Sequence, residues 1–165
     1  MSNSTRSRES IEPRRWTREA IRSTYQLTLP DLLFRAQSVH REHHDQCAVR
    51  MCRLLSIKTG GCPEDCAYCP QSAHYSTGVK RQPLLNPEEV VLAAGKAKEE
   101  GATRFCMGAA WREVQQGKEF DSVLEMVRRV ATLNLELCCT LGMLTEERAL
   151  RPKKAGLSEI ISTRT

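Results

Sequence analysis

Three cysteines lie close together in the segment Cys62-Pro-Glu-Asp-Cys66-Ala-Tyr-Cys69. Their spacing is C-x3-C-x2-C. The segment has three cysteines, whereas four cysteines hold the cluster of an electron-carrying ferredoxin. Three thiolates can hold three irons of a [4Fe–4S] cube and leave the fourth iron open to a substrate. The loop therefore indicates a cluster that carries out chemistry rather than one that only stores electrons.

Two other interpretations of these cysteines fit the sequence less well. A disulfide framework is disfavoured because 8 cysteines in 165 residues fall below the density of small secreted scaffolds, and because the chain begins without an apolar signal segment. A structural zinc site usually has two C-x2-C pairs, and only Cys66 and Cys69 have that spacing. Unpaired cysteines fit a reducing compartment, so we expect a cytoplasmic protein, or a mitochondrial-matrix protein in a eukaryote.

The composition favours one globular domain and disfavours two classes of partner. The length suits a single domain, and 40% hydrophobic and 27% charged residues are ordinary for a globular chain. The net charge of +5 is modest and scattered, and aromatic residues make up 5% of the chain, so we expect no nucleic-acid partner. No apolar run reaches the length of a membrane span, so we expect no membrane partner.

The chain is predicted to begin with a tail and two helices. Residues 1–15 are rich in Ser and Arg and nearly free of apolar side chains, which predicts a disordered tail. Helices are predicted at residues 17–25 and from Pro30 to about residue 44. Near the end of the second helix, two histidines lie one turn apart, at positions 40 and 44. A solvated helix face explains this pair better than a metal site does.

Beyond these helices, strand and helix patterns alternate. Strands are predicted at residues 53–58, 103–107 and 135–141, and helices at residues 87–100, 120–133 and 145–154. The first of these helices has the clearest start, because Asn86 can cap it and Pro87 can take its first position. This alternation predicts parallel βα units, and thus an α/β fold.

Polar and apolar side chains alternate along each predicted strand. This period of two places Cys106 and Cys138 on the polar faces, which should line a common interior, and Cys139 on the opposite face against the helices. The charged residues expected in the same interior are Lys58, Arg104 and Glu136. Taken alone, Cys106 and Cys138 fit small buried hydrophobes equally well. Beside a cluster loop, a second metal or sulfur site is the better interpretation.

Longer strings around these residues resemble a known family. They are LLSIKTGGC at 54–62, CPQS at 69–72, YSTGV at 75–79, TRFCMGAAW at 103–111 and CCTLG at 138–142. The cysteine loop alone indicates the radical S-adenosylmethionine superfamily. With the longer strings, the chain from about residue 16 to residue 157 resembles the biotin synthase family.

This resemblance implies a fold, a reaction and two cofactors. The fold would be a (β/α)8 barrel, and Cys62, Cys66 and Cys69 would hold a [4Fe–4S] cluster whose open iron takes S-adenosylmethionine. Reductive cleavage of that cofactor would start sulfur insertion into dethiobiotin, the last step of biotin biosynthesis. An electron-donor protein is implied as a partner, and a homodimer is compatible with the family.

The resemblance also implies roles for four further residues. Cys106 and Cys138 match two ligands of a [2Fe–2S] cluster inside the barrel, which would donate the sulfur. The backbone at Tyr68 would lie by the adenine of S-adenosylmethionine. Arg164 matches an arginine near the same cofactor.

The resemblance is incomplete towards the end of the chain. A complete barrel takes about 250 residues, and the third cysteine and the arginine that complete the family's [2Fe–2S] site have no counterpart here. We therefore expect a partial (β/α)8 TIM-type barrel over residues 16–165, in which N-terminal helices precede the first three βα units. Such a truncated chain is expected to make no biotin by itself. A non-catalytic iron–sulfur-binding fragment and a different radical S-adenosylmethionine enzyme remain as alternative functions.

Overall fold

The structure, a computed structural model, describes residues 16–161. The chain divides into two units, one up to Ala48 and the other from Val49 onward. The predicted tail at residues 1–15 and the predicted cofactor contact of Arg164 lie outside the described residues. Within residues 16–161, no helix is both long enough and apolar enough to cross a lipid bilayer.

The first unit contains two helices, α1 (Arg18–Tyr25) and α2 (Leu29–His43). Thr17 caps α1 by accepting a hydrogen bond from the Ala20 backbone at 3.1 Å, as the sequence predicts. Helix α2 starts one residue earlier than predicted because Thr28 is its cap. A threonine hydroxyl at this position satisfies a backbone N–H that would otherwise have no partner.

The second unit is a parallel sheet whose strands alternate with helices. Its elements are β1 (Cys52–Lys58), α3 (Pro87–Glu99), β2 (Arg104–Ala109), α4 (Lys118–Ala131), β3 (Glu136–Thr140), α5 (Glu146–Lys154) and β4 (Glu159–Ile161). The strands lie in the order β1-β2-β3-β4 and every neighbouring pair is parallel. The predicted α/β class and the three βα units are confirmed, and β4 is an addition to the prediction. Three residues are too short a run for a period of two to be recognised.

Local signals explain why some helix boundaries match the prediction and others do not. Before α3, the Asn86 side chain accepts from the Glu89 backbone at 2.9 Å and the Glu89 carboxylate accepts from the Asn86 backbone at 3.0 Å. This reciprocal capping box fixes the start of α3. Helix α4 begins two residues before the predicted Phe120, after Gly117, which makes no side-chain cap hydrogen bond. Its start therefore has no signature in the sequence.

The core of the second unit lies between the sheet and its helices. It is formed by strand residues of one parity and by the apolar stripes of α3 and α4, including Ile57, Phe105, Met107, Leu137, Cys139, Val90, Phe120, Val123 and Val127. The opposite face of the sheet carries the alternate residues, and Leu54 on it is 69% exposed. The predicted alternation is confirmed on β2 and β3. On β1 the register shifts between Ser56 and Lys58, and Lys58, which was predicted to lie with Arg104 and Glu136, pairs instead with Glu119 in the first turn of α4 at 3.8 Å. The two faces have different chemistry, an apolar one under the helices and a polar one facing away from them.

We expect the core to dominate the stability of this unit. Leu137 on β3 is fully buried, whereas Leu92 on α3 is 75% exposed. Leu137→Ala should lower the free energy of unfolding by about 2–5 kcal/mol, because it removes packed methyl groups and leaves a cavity. The matched change Leu92→Ala should stay within about 0.5 kcal/mol. Urea denaturation followed by circular dichroism measures both, and equal losses would contradict this description of the core.

Candidate functional site

The cysteine loop leaves the carboxyl end of β1 and closes on itself. Gly60 and Gly61 turn the chain with φ of 71° and 68°, backbone angles that glycine adopts at little cost. The Cys62 N–H then donates to the Gln71 carbonyl at 2.9 Å, and the Ala73 N–H donates to the Cys62 carbonyl at 2.8 Å. These two hydrogen bonds join the start of the loop to its end, so the loop has a defined shape.

A second set of hydrogen bonds fastens the loop from within. The Ser72 side chain is buried, and its hydroxyl donates to the Glu64 carbonyl at 2.7 Å and accepts from the His74 N–H at 3.2 Å. The Cys69 N–H donates to the Cys66 carbonyl at 2.9 Å, which makes a turn between these two cysteines. The Pro-Gln-Ser segment that follows Cys69 therefore stabilises the conformation of the cysteine loop.

A cleft of about 330 Å³ separates the cysteine loop from the carboxyl ends of β2 and β3. The three predicted cluster cysteines and Tyr68 line one side, and the other side is lined by Ala109, Ala110, Trp111, Arg112, Thr140, Gly142 and Met143. Arg112 Nε lies 3.2 Å from the Glu64 carboxylate and links the two sides. In parallel α/β folds, ligands bind at the carboxyl ends of the strands. The cleft is therefore the candidate binding site.

The loop thiols are close enough to influence one another. Cys62, Cys66 and Cys69 are half-buried and none is in a disulfide. Desolvation raises the pKa of Cys66, and the neighbouring thiols of Cys69 and Cys62, with the carboxylates of Glu64 and Asp65, raise it further. A bound metal would reverse this effect, because a metal holds the thiolate form. The structure thus brings the three predicted ligands together on one wall of the cleft.

Within residues 16–161, no three side chains of His, Cys, Asp or Glu converge closely enough to hold a single metal ion. The rings of the histidines at positions 40 and 44 have centroids 5.4 Å apart and are tilted by 33°, and they do not belong to such a group of three. A four-iron cube spaces its thiolates more widely than one ion does, because each thiolate binds a different iron. The half-buried thiols at the cleft therefore fit a cluster by donor type and by placement.

The face of the sheet away from the helices carries the other predicted sulfur ligands. Cys106 and Cys138 are register partners on β2 and β3, and Cys138 is fully buried. The Arg104 guanidinium lies against both thiols, and these contacts, with one to Glu159, raise the pKa of Arg104. Arg104 also pairs with Glu136 at 3.2 Å. The prediction that Cys106 and Cys138 share a face, with Cys139 in the core, is confirmed.

Cys52 also belongs to this group and was not predicted from the sequence. Cys52 is the first residue of β1, and its Sγ lies 3.4 Å from Cys106 Sγ. Desolvation and this contact with Cys106 raise the pKa of the Cys52 thiol. The predicted strand begins at residue 53, so the predicted alternation does not reach Cys52. One more residue of strand would have placed it on the face of Ser56.

Comparison with known families gives a match that covers most of the chain. Residues 56–161 match the model of the radical SAM superfamily. The matched segment begins within β1 and includes the cysteine loop, the three further strands and the helices between them. The cleft and both groups of cysteines described above therefore belong to the matched part, apart from Cys52.

The chain is also similar to curated biotin synthases. It is 56% identical to the enzyme of Cytophaga hutchinsonii over 142 residues, which are 86% of this chain and 42% of that protein. For Methylococcus capsulatus the identity is 48%, covering 100% of this chain and 55% of that protein. The chain thus spans about half the length of these relatives. The predicted resemblance to biotin synthases is confirmed.

A solved structure shows the same fold. The crystal structure of methylornithine synthase superposes with a TM-score of 0.66 at 18% sequence identity, covering 88% of this chain and 43% of that one. At this identity the likeness bears on the fold alone. The predicted relation to a TIM-type barrel is supported, because the parallel βα arrangement is shared.

Gly142 sets the distance between the two strand ends that form the far wall of the cleft. It has φ of 76°, and an added Cβ would overlap the Arg112 carbonyl and lie 2.6 Å from the Trp111 carbonyl. Gly78 has the same φ of 76° with nothing within 4 Å of an added Cβ. Gly78→Ala should cost about 1–2 kcal/mol of unfolding free energy for the left-handed backbone alone.

Gly142→Ala should therefore cost about 1–3 kcal/mol more than Gly78→Ala, because backbone must also move. Urea denaturation of the two variants measures the difference. Equal destabilisation would show that the contact between the loop after β2 and the end of β3 is not close in solution.

Proposed function

Because the chain belongs to the radical SAM superfamily, we propose that its cysteine loop holds a [4Fe–4S] cluster and that S-adenosylmethionine binds in the adjoining cleft. The observation that best supports this proposal is that Cys62, Cys66 and Cys69 line one wall of a cleft at the carboxyl ends of parallel strands. When bound, the cluster supplies an electron for reductive cleavage of the sulfonium, the chemistry that gives the superfamily its name.

The surrounding residues would position the cofactor and keep water out. Tyr68 lies in the loop at the cleft, where its backbone would meet the adenine. Trp111 and Met143 form an apolar part of the opposite wall, and an apolar wall strengthens electrostatic interactions inside the site. The ion pair between Glu64 and Arg112 holds the loop over this wall. Arg164 is proposed as a further cofactor contact.

The similarity to biotin synthases supports a particular reaction. Those relatives are 48–56% identical to the chain, so the proposed substrate is dethiobiotin and the proposed product is biotin. Cys106 and Cys138 would hold a sulfur-donating [2Fe–2S] cluster, with the Arg104 guanidinium against their thiols as a counter-charge. An electron-donor protein would reduce the first cluster, and pairing into a homodimer is part of the proposal.

The loop cluster can be tested directly by reconstitution. After anaerobic incubation with iron and sulfide, the reduced chain should give the electron paramagnetic resonance signal of a [4Fe–4S] cluster. Cys66→Ala should remove most of this signal, since two thiolates cannot retain the cube. Cys47→Ala is the control, because Cys47 is an exposed thiol in the other unit of the chain. A full signal in the Cys66→Ala protein would refute the ligand assignment.

The activity of the 165-residue chain should be partial. The loop and cleft should support slow release of 5′-deoxyadenosine from S-adenosylmethionine under reducing conditions. Biotin should not form, because the sheet face that carries Cys106 and Arg104 is open to solvent at Leu54, and radical chemistry needs water excluded. An anaerobic assay with dethiobiotin and reductant measures both products against Cys69→Ala.

Biotin above the level of the Cys69→Ala control would overturn the expectation of partial activity. A loaded cluster with no deoxyadenosine would instead favour the non-catalytic alternative. Deoxyadenosine without biotin is the expected result.

A further inference from the structure

We propose that Cys52 is a third sulfur ligand, with Cys106 and Cys138, for an iron–sulfur cluster on the open face of the sheet. The identity of the bound group rests on the proposed function, and the inclusion of Cys52 goes beyond it. Three thiols from three adjacent strands would then form one donor set, separate in sequence from the cysteine loop.

Strand register brings the three sulfurs together. Cys52 pairs with Arg104, Leu54 pairs with Cys106, and Cys106 pairs with Cys138. Cys52 therefore lies diagonally across from Cys106 on the same face, and the two Sγ atoms are 3.4 Å apart. The thiols of Cys106 and Cys138 are also within hydrogen-bonding contact of each other. The set is thus built by backbone pairing and does not depend on a loop conformation.

The three thiols differ in how deeply they are buried. Cys138 is fully buried, Cys106 is half-buried and Cys52 is exposed. A buried polar or reactive side chain normally needs a partner, and Cys138 has the Arg104 guanidinium and the Cys106 thiol. Cys52 supplies the accessible end, through which iron and sulfide could enter. Cysteine at this position is consistent with a ligand that closes the outer side of the site.

The charged side chains around the set balance one another. Arg104 is 16% exposed and faces Cys106 and Cys138. Its positive charge is shared with Glu136 and Glu159. Arg50 adds a second cation by pairing with Glu136 at 2.9 Å. The two arginines therefore offset the two carboxylates, and an iron–sulfur cluster, whose irons are cationic, would stabilise the three thiolates.

A cluster fits this set better than a lone ion does. The three thiols do not converge on one point as the ligands of a single ion do. A two-iron cluster distributes its thiolates over two metal atoms. Three thiolates leave one position of such a cluster for a ligand from outside the set, and the exposed rim at Cys52 is open to one.

The test uses the full chain with the loop site removed. In a Cys62→Ala, Cys66→Ala, Cys69→Ala background, anaerobic reconstitution should load about two irons and two sulfides per chain, with visible absorption and a Mössbauer signal. Adding Cys52→Ala should lower bound iron at least threefold, and Cys52→Ser, which keeps the shape of the side chain, should lower it similarly. Adding Cys47→Ala should change nothing. Circular dichroism checks that each variant is folded.

Two results in the folded background would overturn the proposal. One is equal iron content and equal spectra in the Cys52→Ala and Cys47→Ala proteins. The other is no iron binding in the folded background. If the background fails to fold, the same comparison is made in the chain with its loop intact. There, the Cys52→Ala protein should bind about two irons fewer than the Cys47→Ala protein. An unchanged iron count there would also overturn it.

A separate variant distinguishes this proposal from the proposed function. Cys106→Ala with Cys138→Ala removes the sheet-face set and leaves the loop. If its loop fails to load while the loop-deficient background still binds iron through Cys52, the loop assignment is wrong and the inference about Cys52 stands. If instead the loop of this variant loads a cluster and the loop-deficient background binds no iron, the loop assignment stands and Cys52 is rejected as a ligand.

Discussion

The structure depends on the division of one parallel sheet into two chemically different faces. Strand residues of one parity pack under α3 and α4 in an apolar core that includes Phe105 and Leu137. Residues of the other parity carry the thiols and charges, such as Cys106 and Arg104. Because side chains alternate with a period of two, a register slip of one residue would exchange the two faces. The apolar packing therefore fixes the position of the reactive residues.

The same sheet explains why the two groups of cysteines take different positions. The loop cysteines follow the carboxyl end of β1, so they lie over a cleft formed by the ends of β2 and β3. The strand cysteines lie along the ladder itself, and their spacing is set by the hydrogen bonds between strands. The position of the loop group depends on the hydrogen bonds within the loop, whereas that of the strand group follows from the strand register. A site built on strands is more precise than one built on a loop.

Much of this arrangement could be predicted from the sequence because its signals are local. The capping box at Asn86, the strand alternation and the C-x3-C-x2-C spacing each lie within a few neighbouring residues. A strand predicted one residue longer would have placed Cys52 on the correct face, but the contacts that were missed are tertiary. The contact of Cys52 with Cys106 depends on strand register, and the link between Glu64 and Arg112 depends on how a loop folds back over the sheet. Neither register nor loop closure has a sequence period that could be recognised beforehand.

Cys138 and Cys139 show how the sheet gives different chemistry to neighbouring residues. Both side chains are fully buried, and burial raises the pKa of both thiols. On the core side, Cys139 has apolar neighbours and behaves as a small hydrophobe. On the other side, the Arg104 guanidinium opposes the effect of burial on Cys138. Burial alone therefore does not separate a core thiol from a proposed ligand. The separation comes from the cation that the register of β2 places beside one of the two cysteines.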